Sequence, residues 1–297
     1  MVTWEAWRKS IDAHVRDRGV WVGLLDENWE PVATLAPRDL NEKHLRLSAP
    51  EVSFDHEGSV GGRPSIMVNE LIAPDLGQFD EQGRFEASNV IGRSVCVKRP
   101  GPRGRQAYFI PYVDASGASA PESVHVEGAG LLSLLDATPC PSVPESWRGG
   151  FSVRDANAAG AYKTPREYSL VELASRADGY TVVAPAELAI RTVVQDSLDA
   201  LQRHMGWVNP HMVVDYALTG RESPESAIRV EDDFILSTVA ETARTAGVGI
   251  SADLWWPGDD PVVVRVSPQD KELTELRVWD HPIAVIRVEQ MEVSEDV

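Results

Sequence analysis

Short runs of alternating apolar and polar residues, punctuated by Gly, Pro, Asn and Asp, recur from Val20 almost to the end of the chain. That pattern limits the fold to one made of many short strands, since two-residue periodicity places one face of each run toward a core. Connections this short cannot carry the crossovers that parallel strands need, so the strands are expected to be antiparallel. Residues 20–25 and 29–35 flank a turn at 26–28. Residues 90–98 and 106–113 flank a second turn at 99–104. Shorter candidates lie at 45–47, 52–54, 64–72, 124–126 and 226–230. Near the end, 248–256 and 262–266 read as a hairpin across the turn 257–261, followed by strands at 273–278 and 283–288. Regularly spaced short strands suggest a barrel or sandwich.

Helical spacing interrupts this pattern in four places. Trp4, Trp7, Ile11 and Val15 form one stripe, with Thr3 placed to cap it and Gly19 to stop it. Leu131, Leu132, Leu134 and Leu135 form a compact helix ending near Pro139. The longest helix is expected over 184–205, with Leu188, Ile190, Val193, Val194, Leu198, Leu201 and Met205 on its apolar face. Glu231, Asp232 and Asp233 open a further helix that runs to Gly247, where acidic residues suit the positive end of the helix dipole. The fold class is therefore α+β and β-rich, without regular βαβ alternation. The organisation expected is an N-terminal helix over 1–19, a first β-barrel-like domain over 20–136, a Pro/Ser/Gly/Ala-rich linker or long loop over 137–165, and a second α+β domain over 166–297.

The chain carries 46 acidic and 28 basic residues, a net charge of −18. Such a balance disfavours a surface that coats duplex DNA or an anionic membrane. The first 150 residues hold 15 basic and 21 acidic groups and the remainder 13 and 25, so the acid excess is concentrated late. No apolar h-region opens the chain and no run is long enough to span a bilayer, so neither a signal peptide nor membrane insertion is expected. Two cysteines, Cys96 and Cys140, make neither a disulfide framework nor a four-thiolate metal site.

Catalytic patterns are sparse. Gly128-Ala129-Gly130 follows a strand and precedes a helix, as a dinucleotide loop does, but Ser133 stands where a third small residue belongs. The glycines are read instead as permitting a tight strand-to-helix turn. The seven histidines are scattered, and Asp232-Asp233 and Asp259-Asp260 fall where turns and helix starts favour Asp. No catalytic, cofactor-binding or metal-ligating residue is assigned, and no cofactor is expected. Two features point to partner surfaces. Trp4 and Trp7 share a helical stripe that packs either on the chain's own barrel or on a neighbouring subunit. Arg93, Lys98, Arg99, Arg103 and Arg105 fall within 13 residues of an acidic chain. They form either a solvated, edge-protecting hairpin tip or an electrostatic contact to an acidic neighbour. Trp4, Trp7, Arg99, Arg103 and Arg105 are the candidate subunit contacts.

Three stretches, in order, resemble one known family. VWVGLLDENWEPVATL (20–35) resembles the opening hairpin of the minor tail, or tail-hub, proteins of long-tailed phages that infect actinobacteria. VHVEGAGLLSLLDATPC (124–140) resembles their strand–glycine–helix step, and RVEDDFILSTVAETARTAGVGISADLWWPGDDP (229–261) resembles their later helix and hairpin. The resemblance spans roughly residues 20–290. It implies two small tail-tube-like β-barrels with inserted helical and loop segments, and a non-enzymatic role as a homotrimeric hub at the virion tail tip. The hub would adapt the hexameric tube and distal tail ring to the tip, contacting the distal tail protein, the tape-measure protein and other tail-tip proteins. It would be synthesised in the host cytoplasm and would make no specific contact with nucleic acid. Val297 follows soon after the last expected strand, so receptor binding and wall degradation are expected in separate proteins. The alternatives are a distal tail or peripheral tip protein, or a carbohydrate-binding or hydrolytic tip enzyme. An exposed pair at Trp255 and Trp256 would favour sugar binding, although neighbours in a strand point to opposite faces.

Overall fold

A computed structural model of the chain describes residues 3–43, 47–72, 78–79, 85–86, 92–101, 104–118, 120–173 and 180–292. The chain divides into two units, each discontinuous in sequence. One comprises Met1–Ser133, Ala252–Asp260 and Val278–Ala284, the other Leu134–Ser251, Pro261–Arg277 and Val285–Val297.

The first unit opens with α1 (Trp4–Arg18). The Thr3 side chain accepts from the Ala6 N–H, and Gly19, at φ 80°, donates its N–H back to the Val15 carbonyl. The left-handed cap is why glycine stands there. Strands follow as β1 (Trp21–Leu25), β2 (Pro31–Leu35), β3 (Arg38–Lys43), β4 (Glu51–Glu57), β5 (Ser59–Val60), β6 (Arg63–Pro64), β7 (Gln78–Phe79), β8 (Phe85–Glu86), β9 (Ser94–Lys98), β10 (Arg105–Ser116) and β11 (Ser123–Gly130). Seven form one antiparallel sheet in the order β2-β1-β9-β10-β11-β4-β3, curled into a half-barrel; β5–β6 and β7–β8 are small separate ribbons. Alternate residues fill the core: Val22 and Leu24, Val52 and Phe54, Val95 and Val97, Val124 and Val126.

Two expectations change here. Residues 64–72 contain no long strand; Val68–Ile72 form a π-helical turn. The β-branched composition suggests extension, but Met67, Val68 and Leu71 reach the same core at helical spacing. Of the expected strand at 45–47, Leu45 and Arg46 lie outside the described residues, and Leu47 sits in a turn at φ 53°. β1 is buried at all five positions, so its other face is covered too. There the Trp21 indole lies across Gly23 and donates to Thr34 Oγ1 on β2 at 2.9 Å. A Cβ at Gly23 would stand 2.1 Å from that ring, so only glycine fits.

The second unit comprises α2 (Ser133–Ala137, entering from the first unit), a 3₁₀ turn at Pro144–Ser146, β12 (Phe151–Asn157), β13 (Gly160–Ser169), β14 (Thr181–Pro185), α3 (Ala186–Met205), β15 (Met212–Asp215), β16 (Glu225–Arg229), α4 (Ile235–Ala246), β17 (Val248–Trp255), β18 (Val262–Arg265), β19 (Thr274–Arg277) and β20 (Ile283–Gln290). β17 and β20 each run across the division between the units. The sheets are β12-β13, β14-β16, β15-β20-β17 and β18-β19. The hairpin expected across 257–261 is therefore formed one strand later, by β18 and β19. Residues 151–169, partly expected as linker, form the antiparallel hairpin β12–β13. Its residues are mostly exposed on both faces, so no hydrophobic period marks it in the sequence.

α3 departs most from expectation. It is buried nearly all round, including Glu187, Arg191, Gln195, Asp196, Ser197 and His204, while Leu188 and Met205 of the expected apolar face are exposed. Several of its polar residues are hydrogen-bonded within the unit. Arg191 Nη2 lies 2.7 Å from Glu187 Oε1 and 2.7 Å from each of the Ala217 and Val288 carbonyls. Gln195 Oε1 accepts from the Val214 N–H at 2.9 Å. α4 starts at Ile235, later than expected. Asp232 stands before it at φ 62° and accepts from the Ser142 N–H and hydroxyl at 2.8 Å, tying down the chain after α2.

Replacing Arg191 with Met strands the Glu187 carboxylate and two carbonyls. Arg191→Met is expected to cost about 3–5 kcal/mol, a fall in Tm of roughly 10 °C. The double change Glu187→Met/Arg191→Met is expected to recover much of that loss. Calorimetry of both variants checks the ordering.

Candidate functional site

Lys98, Arg105 and Arg8 of the first unit come together beside one carboxylate-bearing turn and helix. Lys98 on β9 and Arg105 on β10 are direct cross-strand neighbours. Like charges so placed repel, and carboxylates must offset them. Asp12 of α1 pairs with Lys98. Asp259 faces Arg105, with Nη1 2.6 Å from Oδ2 and Nη2 3.3 Å from Oδ1, and Arg105 Nη1 also donates to the Leu254 carbonyl at 2.8 Å. Arg8 of α1 reaches the same carboxylate at 3.2 Å and the Pro257 carbonyl at 2.9 Å. The Arg105 guanidinium lies over the Trp256 indole, 3.9 Å from its centroid. Trp4 and Trp21 pack on that same indole at 5.8 and 6.1 Å between centroids. Burial alone would raise the Asp259 carboxyl. The Arg105 hydrogen bonds and charge, with the Trp256 N–H and Arg8, outweigh it and hold the group below the usual carboxylate range.

The candidate contacts thus have different surroundings. Arg105 is largely buried and held within its unit, as is Arg93, which binds Glu70 at 2.8 Å and Glu27 at 2.9 Å. Arg99 is half exposed and pairs with Glu42, whose side chain is buried and also accepts from the Tyr108 hydroxyl at 2.8 Å. Trp4 and Trp7 are half-buried. Arg103 lies outside the described residues. Sequence reading missed Asp259 and Arg8 as partners of this face. They are distant in the chain from Arg105, and no local pattern links them.

The second unit carries a cleft of about 440 Å³ lined by Tyr180, Asp196, Asp199, Arg203 and Lys271 among others. Two of its carboxylates, Asp196 and Asp199, are engaged in ion pairs. Asp196 binds Arg265 Nη1 at 2.6 Å and Lys271 at 2.7 Å and accepts from the Tyr180 hydroxyl. Asp199 binds Arg265 Nη2 at 2.6 Å and accepts from Gln195 at 2.7 Å. Burial, then the Asp196 charge, push the Tyr180 hydroxyl well above its ordinary value. Each oxygen of Asp196 and Asp199 already accepts from a donor of the chain, and the arrangement clamps α3 to β18.

Other sequence signals have structural explanations. Gly128 and Gly130 lie inside β11, where a Cβ would stand 2.6 Å from Val52 Cγ1 and 2.7 Å from the Pro50 ring. They serve close packing of neighbouring chain, not the turn expected of them. Trp255 and Trp256 are both buried, so they offer no exposed ring for a sugar. Cys96 and Cys140 are free and buried, and burial pushes the Cys96 thiol up to about 12. Among the described residues no cluster of three His, Cys, Asp or Glu is placed to hold a metal.

The lowered Asp259 pKa stabilises the fold above about pH 4, its unfolded value, and that contribution is lost as pH falls through the folded value. Asp259→Asn is expected to be less stable than wild type by about 2–3 kcal/mol at pH 7. The gap should narrow steadily below about pH 4. Urea melts across pH measure it, and a gap independent of pH would remove the ion pair as its cause.

No protein-family model and no curated protein matches the chain. Among solved structures, it is similar to prophage tail protein gp18 from Listeria monocytogenes EGD-e, with 7% sequence identity and a TM-score of 0.34. The match covers 90% of this chain and 50% of the Listeria protein, so the chain spans half the length of that structure.

Proposed function

We propose that the chain is a structural, non-enzymatic subunit of a long non-contractile phage tail. In this reading it forms the trimeric hub at the tail tip, joining the hexameric tube and distal tail ring to the tip. Its partners are two further copies of itself, the distal tail protein, the tape-measure protein and other tail-tip proteins. The observation that carries the reading is the open half-barrel of the first unit. Its end strands, β2 and β3, have no second strand partner among the described residues. β3 is also largely exposed. Open edges invite pairing with another chain, and a ring of subunits is one arrangement that covers them. The ordered sequence resemblance to tail-hub proteins supports the same role.

Light scattering on the purified protein, with negative-stain images of the same fraction, tests the proposal. The expected mass is three times the 32.6 kDa of one chain, in ring-shaped particles. A six-fold ring overturns the trimeric hub and moves the chain to the distal tail ring. A monomer at every concentration removes self-assembly from the reading.

A further inference from the structure

The hairpin β12–β13 repeats the electrostatic problem of the β9–β10 pair without its solution. Arg154 and Arg166 are direct cross-strand partners, and like charges so placed destabilise a ladder. In the first unit the opposed Lys98 and Arg105 each hold a carboxylate. Arg154 and Arg166 form no ion pair with a carboxylate among the described residues, and neither does Lys163 in the irregular stretch beside them. Their strand neighbour Glu167 is paired with Val153, one position along, and so points to the opposite face. Tyr168 shares the arginine face by the same alternation, and the Arg166 guanidinium lies 4.4 Å from the Tyr162 ring centroid. Both arginines are exposed, as is nearly all of the hairpin. A two-stranded ribbon with both faces in water is marginal by itself. Yet the chain as a whole carries 46 acidic residues against 28 basic ones. Exposed carboxylates are thus abundant on any other copy of it.

We infer that the Arg154/Arg166 face of this hairpin docks on an acidic surface of a second copy of the chain, which supplies the carboxylate partners that these two arginines do not have. The inference rests on the reading of the chain as a self-assembling subunit and names one of its contacts. Charge complementarity favours this occupant, since an opposed cation pair gains most from a partner rich in carboxylates. The two tyrosines add flat contact area that loses little side-chain entropy on docking.

The test is sedimentation equilibrium of the full chain and of Arg154→Glu/Arg166→Glu, from about 50 to about 500 mM NaCl. Both substitutions lie on an exposed face, and circular dichroism verifies that the variant folds. The expected result is association of the wild type that weakens with salt, and an association constant lower by roughly tenfold or more in the variant. In a mixture of ¹⁵N-labelled and unlabelled chains, carbodiimide is expected to join Lys163 to a carboxylate of the other isotopic species. A trimer that forms equally well in the variant overturns the hairpin contact while leaving the hub proposal standing. A wild-type monomer at all concentrations overturns both. Retention of a labelled single-stranded oligonucleotide by wild type but not by the variant would reassign the face to nucleic acid and overturn the protein partner.

Discussion

The outer face of the first unit depends on one ion pair, Arg105 with Asp259. Backbone register sets Arg105 opposite Lys98, so two cations stand together at the hairpin end of a face that must also bury aromatic rings. Without carboxylates that arrangement would repel itself. Asp259 neutralises Arg105 and, through Arg8, fastens α1 to the same place, while Asp12 does the same for Lys98. Once the guanidinium is fixed, the Trp256 indole lies flat beneath it, and Trp4 and Trp21 pack on Trp256 in turn. Asp259 also accepts from the Trp256 N–H at 2.8 Å, so the turn that carries it is shaped by the same carboxylate. Helix, turn and indole cluster are therefore one electrostatic and aromatic assembly.

The second unit solves a related problem around a helix. α3 is buried on nearly every side, so its buried charged residues cannot reach water and must be paired. Glu187 and Arg191 pair along the helix, and Asp196 and Asp199 grip Arg265 from β18. In both units, carboxylates surround scarce buried cations, which an acid-rich sequence makes easy. The β12–β13 hairpin differs because two cations opposed across one ladder, Arg154 and Arg166, have no carboxylate partner among the described residues, and that makes it the candidate for an intermolecular contact.

Much of the frame was legible in the sequence. The Thr3 and Gly19 caps, the 26–28 turn, the β9–β10 hairpin and the glycine after α3 are local signals, set by dihedral preference and hydrophobic period. What was misread also has local causes. Residues 64–72 are rich in β-branched and aliphatic side chains, and extension and a helical turn compete there until Met67, Val68 and Leu71 find the core. The apolar stripe of α3 was read as one face because periodicity identifies the most apolar side and is silent on whether the polar side is also covered. The β12–β13 hairpin left no apolar trace because neither of its faces is buried.

The basic cluster shows where the division falls. Sequence alone determined that Arg93, Lys98, Arg99 and Arg105 lie on or beside a tight hairpin in an acidic, β-rich chain, because turn chemistry and alternation act over a few residues. Whether those cations face solvent, a partner or the chain's own carboxylates depended on groups far away, such as Asp259, 154 residues from Arg105. Only the tertiary structure decided that, because a charge is neutralised by whatever the fold brings within a few ångströms and not by what lies near it in the chain.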